Sequence, residues 1–331
     1  MAKKIAVVGS GSWGTAMAVN LSKMGHDIDL WSWKKEECES IRKERENKEF
    51  LPGIKIPDNV NFTYDLSCVK QKDFIVLVSP SQAMRNVVKN MSRYTHSSSI
   101  IVILSKGLEN GTLKTMSDIV SEELPENKIV VMSGPSHAEE VSRDIPTANV
   151  AASSDLDAAK KVQSEFMNEY FRIYTGNDVL GVELGGAVKN VIALCAGIVD
   201  GIGFGDNTKA ALMTRGMREI SRLGVKMGAK EETFNGLAGI GDLIVTCTSI
   251  HSRNRRAGIL IGQGYSLEET IKKVHMVVEG VYSTKATYDL AHKYNVEMPI
   301  VFEAYNVLYN GKNPKQAVVD LMKREKKDEI A

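Results

Sequence analysis

The sequence predicts an α/β first half, residues 1–178, followed by an all-α second half, residues 179–331. Three observations carry that reading. Short apolar runs alternate with amphipathic stretches as far as about Thr175. A glycine-rich turn joins the first run to the first amphipathic stretch. From Val179 onward the strand-like runs stop and helical periodicity takes over.

Ile5-Ala-Val-Val8 is a short run of buried-strand type, leading into Gly9-Ser10-Gly11-Ser12-Trp13-Gly14. Thr15 to Met24 continues as a small-residue helix, Gly25 is its natural stop, and His26 to Trp31 reads as a second strand. Alone, three glycines at this spacing are a weak sign. Between a strand and a helix, with a second strand at the expected distance, each has a task. One makes the tight turn, one lets a pyrophosphate approach, and one packs helix on strand. The helix start adds free N–H groups and a positive dipole end. The first half is therefore expected to be a Rossmann-type dinucleotide-binding domain; the bland alternative is a turn that is merely rich in glycine.

Nucleotide choice is expected at the end of the second strand, where an acid favours the ribose hydroxyls of NADH. Here Ser32-Trp33-Lys34-Lys35 brings no carboxylate before Glu36. Lys34 and Lys35 suit a 2′-phosphate and the Trp33 ring suits adenine, so NADPH is favoured with NADH use possible. The same lysines open a mixed-charge stretch running to about Glu49, and also read as a solvated helix start.

Asp73–Val78, Ile100–Leu104 and Lys128–Met132 are further strand-like runs, each ending at a small or polar turn. In an open parallel sheet those turns gather at the carboxyl edge, where ligands bind. Lys106 then projects into the cleft, and Gly134 and Ser136 line it. Thr147–Ala152 and Phe171–Thr175 are read as the last strands. Asp178 suits the cap of the next helix, which carries Lys189 among residues apolar nearly all round. Gly185, Gly186 and Ala187 leave room beside it for another backbone or a ligand. A buried ammonium needs a partner, and its pKa falls toward the range useful for acid–base work. The alternative is a lysine snorkelling to the surface or held in a structural ion pair.

Asp242, among small and apolar residues in Gly236–Thr246, is an available partner, or else a helix cap. Ser252-Arg253-Asn254-Arg255-Arg256 is a basic cluster suited to phosphate, or a solvated turn. His137 and His251 read as neighbours of the site rather than as its acid or base. Lys323–Lys327 reads as a charged tail. No histidine, cysteine and acid grouping has metal-ligand spacing.

Over 331 residues, 43% hydrophobic and 25% charged, the chain has the composition of two globular domains. A net charge of +1 gives no reason to expect nucleic acid or a membrane surface as partner. Four scattered cysteines argue against disulfides, and the apolar start is too short for a signal peptide. No uncharged apolar stretch approaches the roughly 20 residues of a membrane helix. A cytoplasmic protein is expected.

With these segments in order, the chain resembles the bacterial-type NAD(P)-dependent glycerol-3-phosphate dehydrogenases. The resemblance runs through Gly9–Thr15, Phe50–Gly53, Ser105–Glu109, Ser133–Ser136, Glu183–Asn190, Gly236–Leu243, Ser252–Arg256 and Val278–Gly280, of which the last four together are specific. It implies reversible reduction of dihydroxyacetone phosphate to sn-glycerol 3-phosphate for phospholipid synthesis, and a homodimer. It implies Lys189 as proton donor or acceptor, with Lys106, Asp242 and Thr246 around the reacting carbon and Asn190 beside the substrate. Ser252, Arg253 and Asn254 would hold the substrate phosphate. Ser12, Trp13, Ala138, Val277 and Glu279 match nucleotide-contacting positions, and Lys106 and Arg253 would reach the nucleotide as well. Two departures stand out: Trp33 replaces a basic residue or histidine, and His137 replaces an aromatic. The rival readings are a two-domain dehydrogenase of 3-hydroxy acids or sugar acids, and a non-catalytic NADPH sensor or partner protein.

Overall fold

The computed structural model describes residues 1–326 together with Asp328 and Glu329; Lys327 of the expected tail and the last two residues of the expected second half lie outside. The first half runs β1 (Lys4–Val8), α1 (Ser12–Lys23), β2 (Asp27–Trp31), α2 (Lys35–Glu44), β3 (Glu46–Asn47), β4 (Leu51–Lys55), β5 (Val60–Thr63) and β6 (Phe74–Leu77). It continues through α3 (Met84–Ser92), β7 (Ile100–Ile103), α4 (Met116–Glu123), β8 (Ile129–Ser133), α5 (Ala138–Val141), β9 (Thr147–Ala152), α6 (Leu156–Phe166) and β10 (Phe171–Gly176).

Eight of these strands form one sheet in the order β10-β9-β8-β7-β6-β1-β2-β5. Alternation sorts the strand residues between two cores. Ile5, Val7, Phe74, Val76, Ile100 and Val102 face one core, while Ala6, Val8, Ile75, Leu77, Ile101 and Ile103 face the other. Both faces are covered, so these strands read as continuous apolar runs. All pairings in this sheet are parallel except β8 with β9. The β3–β4 hairpin and β5 carry little sequence signal. β3 is two residues long, and β5 alternates a buried with a more exposed position beside the charged stretch.

The rest is helical: α7 (Val179–Ile202), α8 (Asp206–Met227), α9 (Glu231–Phe234), a π-helical turn at Leu237–Gly241, α10 (Asp242–Thr248) and α11 (Arg253–Gly262). Then follow α12 (Leu267–Val274), α13 (Glu279–Tyr294), α14 (Pro299–Tyr309) and α15 (Pro314–Met322). Asp178 caps α7 by accepting from the Gly181 N–H at 3.0 Å. By length and composition α7 could cross a membrane, yet that stretch is wholly buried within the protein. It is the core helix around which the others pack. Val182 of α7 and Ala238 of the π turn join the second core of the sheet, which brings the helical half against the sheet's carboxyl edge.

Candidate active site

Four chain segments meet where the sheet edge faces α7. Lys106 follows β7, Gly134 follows β8, Lys189 lies within α7, and Asp242 starts α10 directly after the π turn. Gly185 permits the meeting, since a Cβ there would stand 2.5 Å from the Ala238 carbonyl oxygen of the π turn. At Gly186 a Cβ would stand 2.8 Å from Ser133 Oγ. The room expected beside Lys189 is thus taken by another backbone and by the strand-end turn.

Asp242 bridges two ammonium groups. Its Oδ1 accepts from Lys189 Nζ, and its Oδ2 accepts from Lys106 Nζ at 2.6 Å. Lys189 also donates to Thr246 Oγ1 at 2.7 Å, and that hydroxyl donates to the Asp242 carbonyl at 2.6 Å. Lys106 donates to the Gly134 carbonyl at 3.0 Å. Each ammonium has three protons, so each keeps one without a partner among the described residues. Two cations and one anion leave a net positive site, suited to an oxygen that gains negative charge.

Burial is the main force lowering the Lys189 pKa, to about 8, with Lys106 pulling the same way and Asp242 opposing. Burial alone would raise Asp242, but the two ammoniums hold it below the usual carboxylate range. Lys189 is neither snorkelling nor exposed, at 5% accessibility. Nor is Asp242 a cap, since its carboxylate is turned to the lysines.

The basic cluster is a helix start, not a solvated turn. Ser252 caps α11 by accepting from the Arg255 N–H at 3.2 Å, and Arg255 pairs with Asp200 at 2.7 Å. Arg253 makes no hydrogen bond or ion pair among the described residues. Burial lowers its pKa, against the pull of Glu279 and Glu139. An unpaired guanidinium at a helix N-terminus is a fitting receptor for phosphate. Asn254 and Asn190 are tied into the helix packing: Asn254 Nδ2 donates to Asn190 Oδ1 at 2.8 Å, and Asn254 Oδ1 accepts from Gly280 N at 2.9 Å. Ser136 Oγ closes its own turn onto the Gly134 carbonyl at 2.9 Å.

The glycine loop fits a dinucleotide. Gly9 has φ +125°, and a Cβ on Gly14 would lie 1.8 Å from the Gly9 carbonyl oxygen. A Cβ on Gly11 would meet nothing within 4 Å, and no side chain caps α1 there. The helix start is thus left open to an anion. Ser12 is buried beside it, and Trp13 packs against the first core. Trp33 is 71% exposed with Lys34 Nζ over its ring at 5.1 Å, while Lys35 pairs with Glu39 at 3.7 Å. Ala138 begins α5 and Val277 is exposed just before α13. Glu279, first residue of α13, accepts from Ser81 N at 3.0 Å and Ser81 Oγ at 2.6 Å.

His137 lies on the same side. Burial first, then Lys189, lowers its pKa. Its ring centroid is 5.9 Å from that of His251, and its buried Nε2 has no partner. Sequence reasoning missed Asn47, whose Nδ2 donates to the Ser10 carbonyl at 2.7 Å and to Thr15 Oγ1 at 2.9 Å, bracing the loop. It also missed Glu183, which accepts from Ser117 N at 2.8 Å and Ser117 Oγ at 2.5 Å. A polar residue that reaches far along the chain leaves no local pattern to find.

Two family models match the chain. The N-terminal model of NAD-dependent glycerol-3-phosphate dehydrogenase covers residues 4–159, and the C-terminal model covers residues 178–319. Glycerol-3-phosphate dehydrogenase (NAD(P)+) of Fusobacterium nucleatum is 53% identical over 330 residues, 99% of this chain and 98% of that one. The enzyme of the same name from a Thermoanaerobacter species is 54% identical over 328 residues, 99% of each chain. The crystal structure of glycerol-3-phosphate dehydrogenase from Coxiella burnetii superposes with a TM-score of 0.95 at 37% identity, over 98% of this chain and 99% of that one.

Proposed function

The chain belongs to the NAD-dependent glycerol-3-phosphate dehydrogenase family, and from that premise we propose how its own residues carry out the reaction. The reaction is reduction of dihydroxyacetone phosphate to glycerol 3-phosphate with NAD(P)H. A reduced nicotinamide, when bound, supplies the hydride equivalent to the C2 carbonyl.

Lys189 gives the proton to the C2 oxygen, and takes it back in the reverse direction. The single observation that supports this is the arrangement of its ammonium, with one N–H on Asp242, one on Thr246 and the third unpartnered. Asp242 and Thr246 fix its direction. Lys106 adds a second positive charge where the oxygen becomes negative. General acid catalysis of this kind contributes about 10²–10⁴-fold. Arg253, with Ser252 beside it, takes the phosphate, whose binding energy fixes the reacting end. Asn190 and Asn254 hold that corner in register, while Gly134 and Ser136 border the substrate.

Gly9, Ser10, Gly11, Ser12, Trp13 and Gly14 would hold the pyrophosphate, with Trp33, Ala138, Val277 and Glu279 along the nucleotide. The preference for NADPH over NADH rests on Lys34, which pairs with no carboxylate among the described residues. The same reading divides the chain at 178/179 into a nucleotide domain and a substrate domain. It also makes the protein a cytoplasmic homodimer that feeds glycerophospholipid synthesis; these last points rest on the family likeness. The test follows oxidation of each reduced nicotinamide by its near-ultraviolet absorbance, with dihydroxyacetone phosphate and with the keto acids that reduction would turn into 3-hydroxy acids or sugar acids. Turnover with the keto acids and none with dihydroxyacetone phosphate would overturn the reading.

A further inference from the structure

The glycine loop carries a contact that the reaction does not use. Ser10, between Gly9 and Gly11, donates its hydroxyl proton to Oε1 of Glu37. Glu37 lies in the first turn of α2, so an anion from that helix rests directly against the loop. The loop is fixed underneath, because the Ser10 carbonyl accepts from Asn47 Nδ2 at 2.7 Å and from Thr15 Oγ1 at 3.1 Å. The other Glu37 oxygen, Oε2, makes no hydrogen bond or ion pair among the described residues.

The surroundings give that free oxygen a meaning. In a site of this fold the adenosine ribose lies between the glycine loop and the end of the second strand. An acid there accepts from the ribose diol, and a basic group there meets a 2′-phosphate. The carboxyl end of β2 brings no acid, since the strand ends at Leu30-Trp31 and is followed by Ser32, Trp33 and Lys34. The Ser32 hydroxyl is buried and unpartnered at the same spot. Of the lysines, Lys35 is engaged with Glu39 at 3.7 Å and Lys34 leans over the Trp33 ring. The charged group bonded to the loop is therefore negative, although the sequence at the strand end is positive.

We propose that Glu37 is a specificity-determining residue for the nucleotide: it accepts the ribose hydroxyls of NADH and opposes the 2′-phosphate of NADPH. This rests on the reading that the glycine loop holds a nicotinamide dinucleotide. Glu37 and Lys34 then pull in opposite directions, which makes each side chain a lever on the preference between the two nucleotides. A carboxylate facing a phosphate in a partly buried site is repelled with little screening by salt. A charge-assisted bond to a ribose hydroxyl is lost when the carboxylate is removed.

Dissociation constants of NADH and NADPH are measured on the full chain by quenching of tryptophan fluorescence, for the parent and for Glu37→Gln, Glu37→Ala and Lys34→Ala. Both Glu37 variants are expected to weaken NADH and tighten NADPH, moving the ratio of the two constants by about tenfold. Lys34→Ala moves the ratio the other way. Two Glu37 variants are used so that misfolding of one, seen by circular dichroism, leaves the other to report. A Glu37 change that weakens both nucleotides alike marks a mere prop of the loop and overturns the proposal, as does an unchanged ratio. A parent chain that binds neither nucleotide overturns the dinucleotide reading itself, a result distinct from the other two.

Discussion

At the residue scale, the proton carrier is decided by who shares its hydrogen bonds. Burial brings the Lys189 pKa down to about 8, and Asp242 and Thr246 restrict where its remaining proton points. Lys189→Ala is expected to cut turnover by at least about 10²-fold while NADPH still binds, read by steady-state rates beside equilibrium titration. A variant that turned over at the parent rate would remove Lys189 from the mechanism. The pH dependence has a sign. Carbonyl reduction needs the ammonium, so its kcat/KM should hold at lower pH and fall as pH rises through about 8, where burial has brought Lys189. Oxidation of glycerol 3-phosphate needs the neutral amine and should rise through the same window. Profiles that move together in both directions would contradict the assignment.

At the element scale, α7 and α11 cross so closely that glycines form the contact. A Cβ on Gly258 would stand 2.0 Å from the Leu194 carbonyl oxygen, and one on Gly197 would stand 2.0 Å from that of Arg255. That contact sets where the α11 N-terminus, with Arg253, sits relative to Lys189. Gly258→Ala forces the helices apart and is expected to cost about 1–3 kcal/mol, seen as a lower Tm; an unchanged Tm would mean the crossing relaxes freely. Arg253→Ala leaves the crossing intact and removes the unpaired guanidinium. It should raise KM for dihydroxyacetone phosphate by about 10–100-fold with a smaller effect on kcat. Should KM stay put, the phosphate sits elsewhere.

At the scale of the whole molecule, two carboxylates of the helical half grip serines of the sheet half: Glu183 holds Ser117 and Glu279 holds Ser81. Burial is the main cause that raises Glu183 from 4.5 to about 7, with the Ser117 bonds opposing. A carboxyl raised on folding stabilises below its unfolded pKa, and that contribution is lost as pH climbs through the folded value. The parent should therefore lose stability relative to Glu183→Gln between about pH 4.5 and 7, by at most about 1.4 kcal/mol per pH unit. Urea unfolding at a series of pH values checks this, and parallel curves for the two proteins would refute it. Much of the molecule was legible beforehand for a local reason. Strand runs, the Gly9–Gly14 turn, the Asp178 cap and the isolated charges Lys189 and Asp242 each declare themselves within a few residues, because burial and backbone geometry act at short range. The two-residue β3, the antiparallel β9, and the reach of Asn47, Glu37 and Glu183 do not declare themselves. The sequence by itself determined which groups had to be buried and which backbone had to turn. Only the tertiary structure decided which buried charge meets which, since a polar side chain's partner depends on the distance between segments far apart in the chain, and no local pattern encodes that distance.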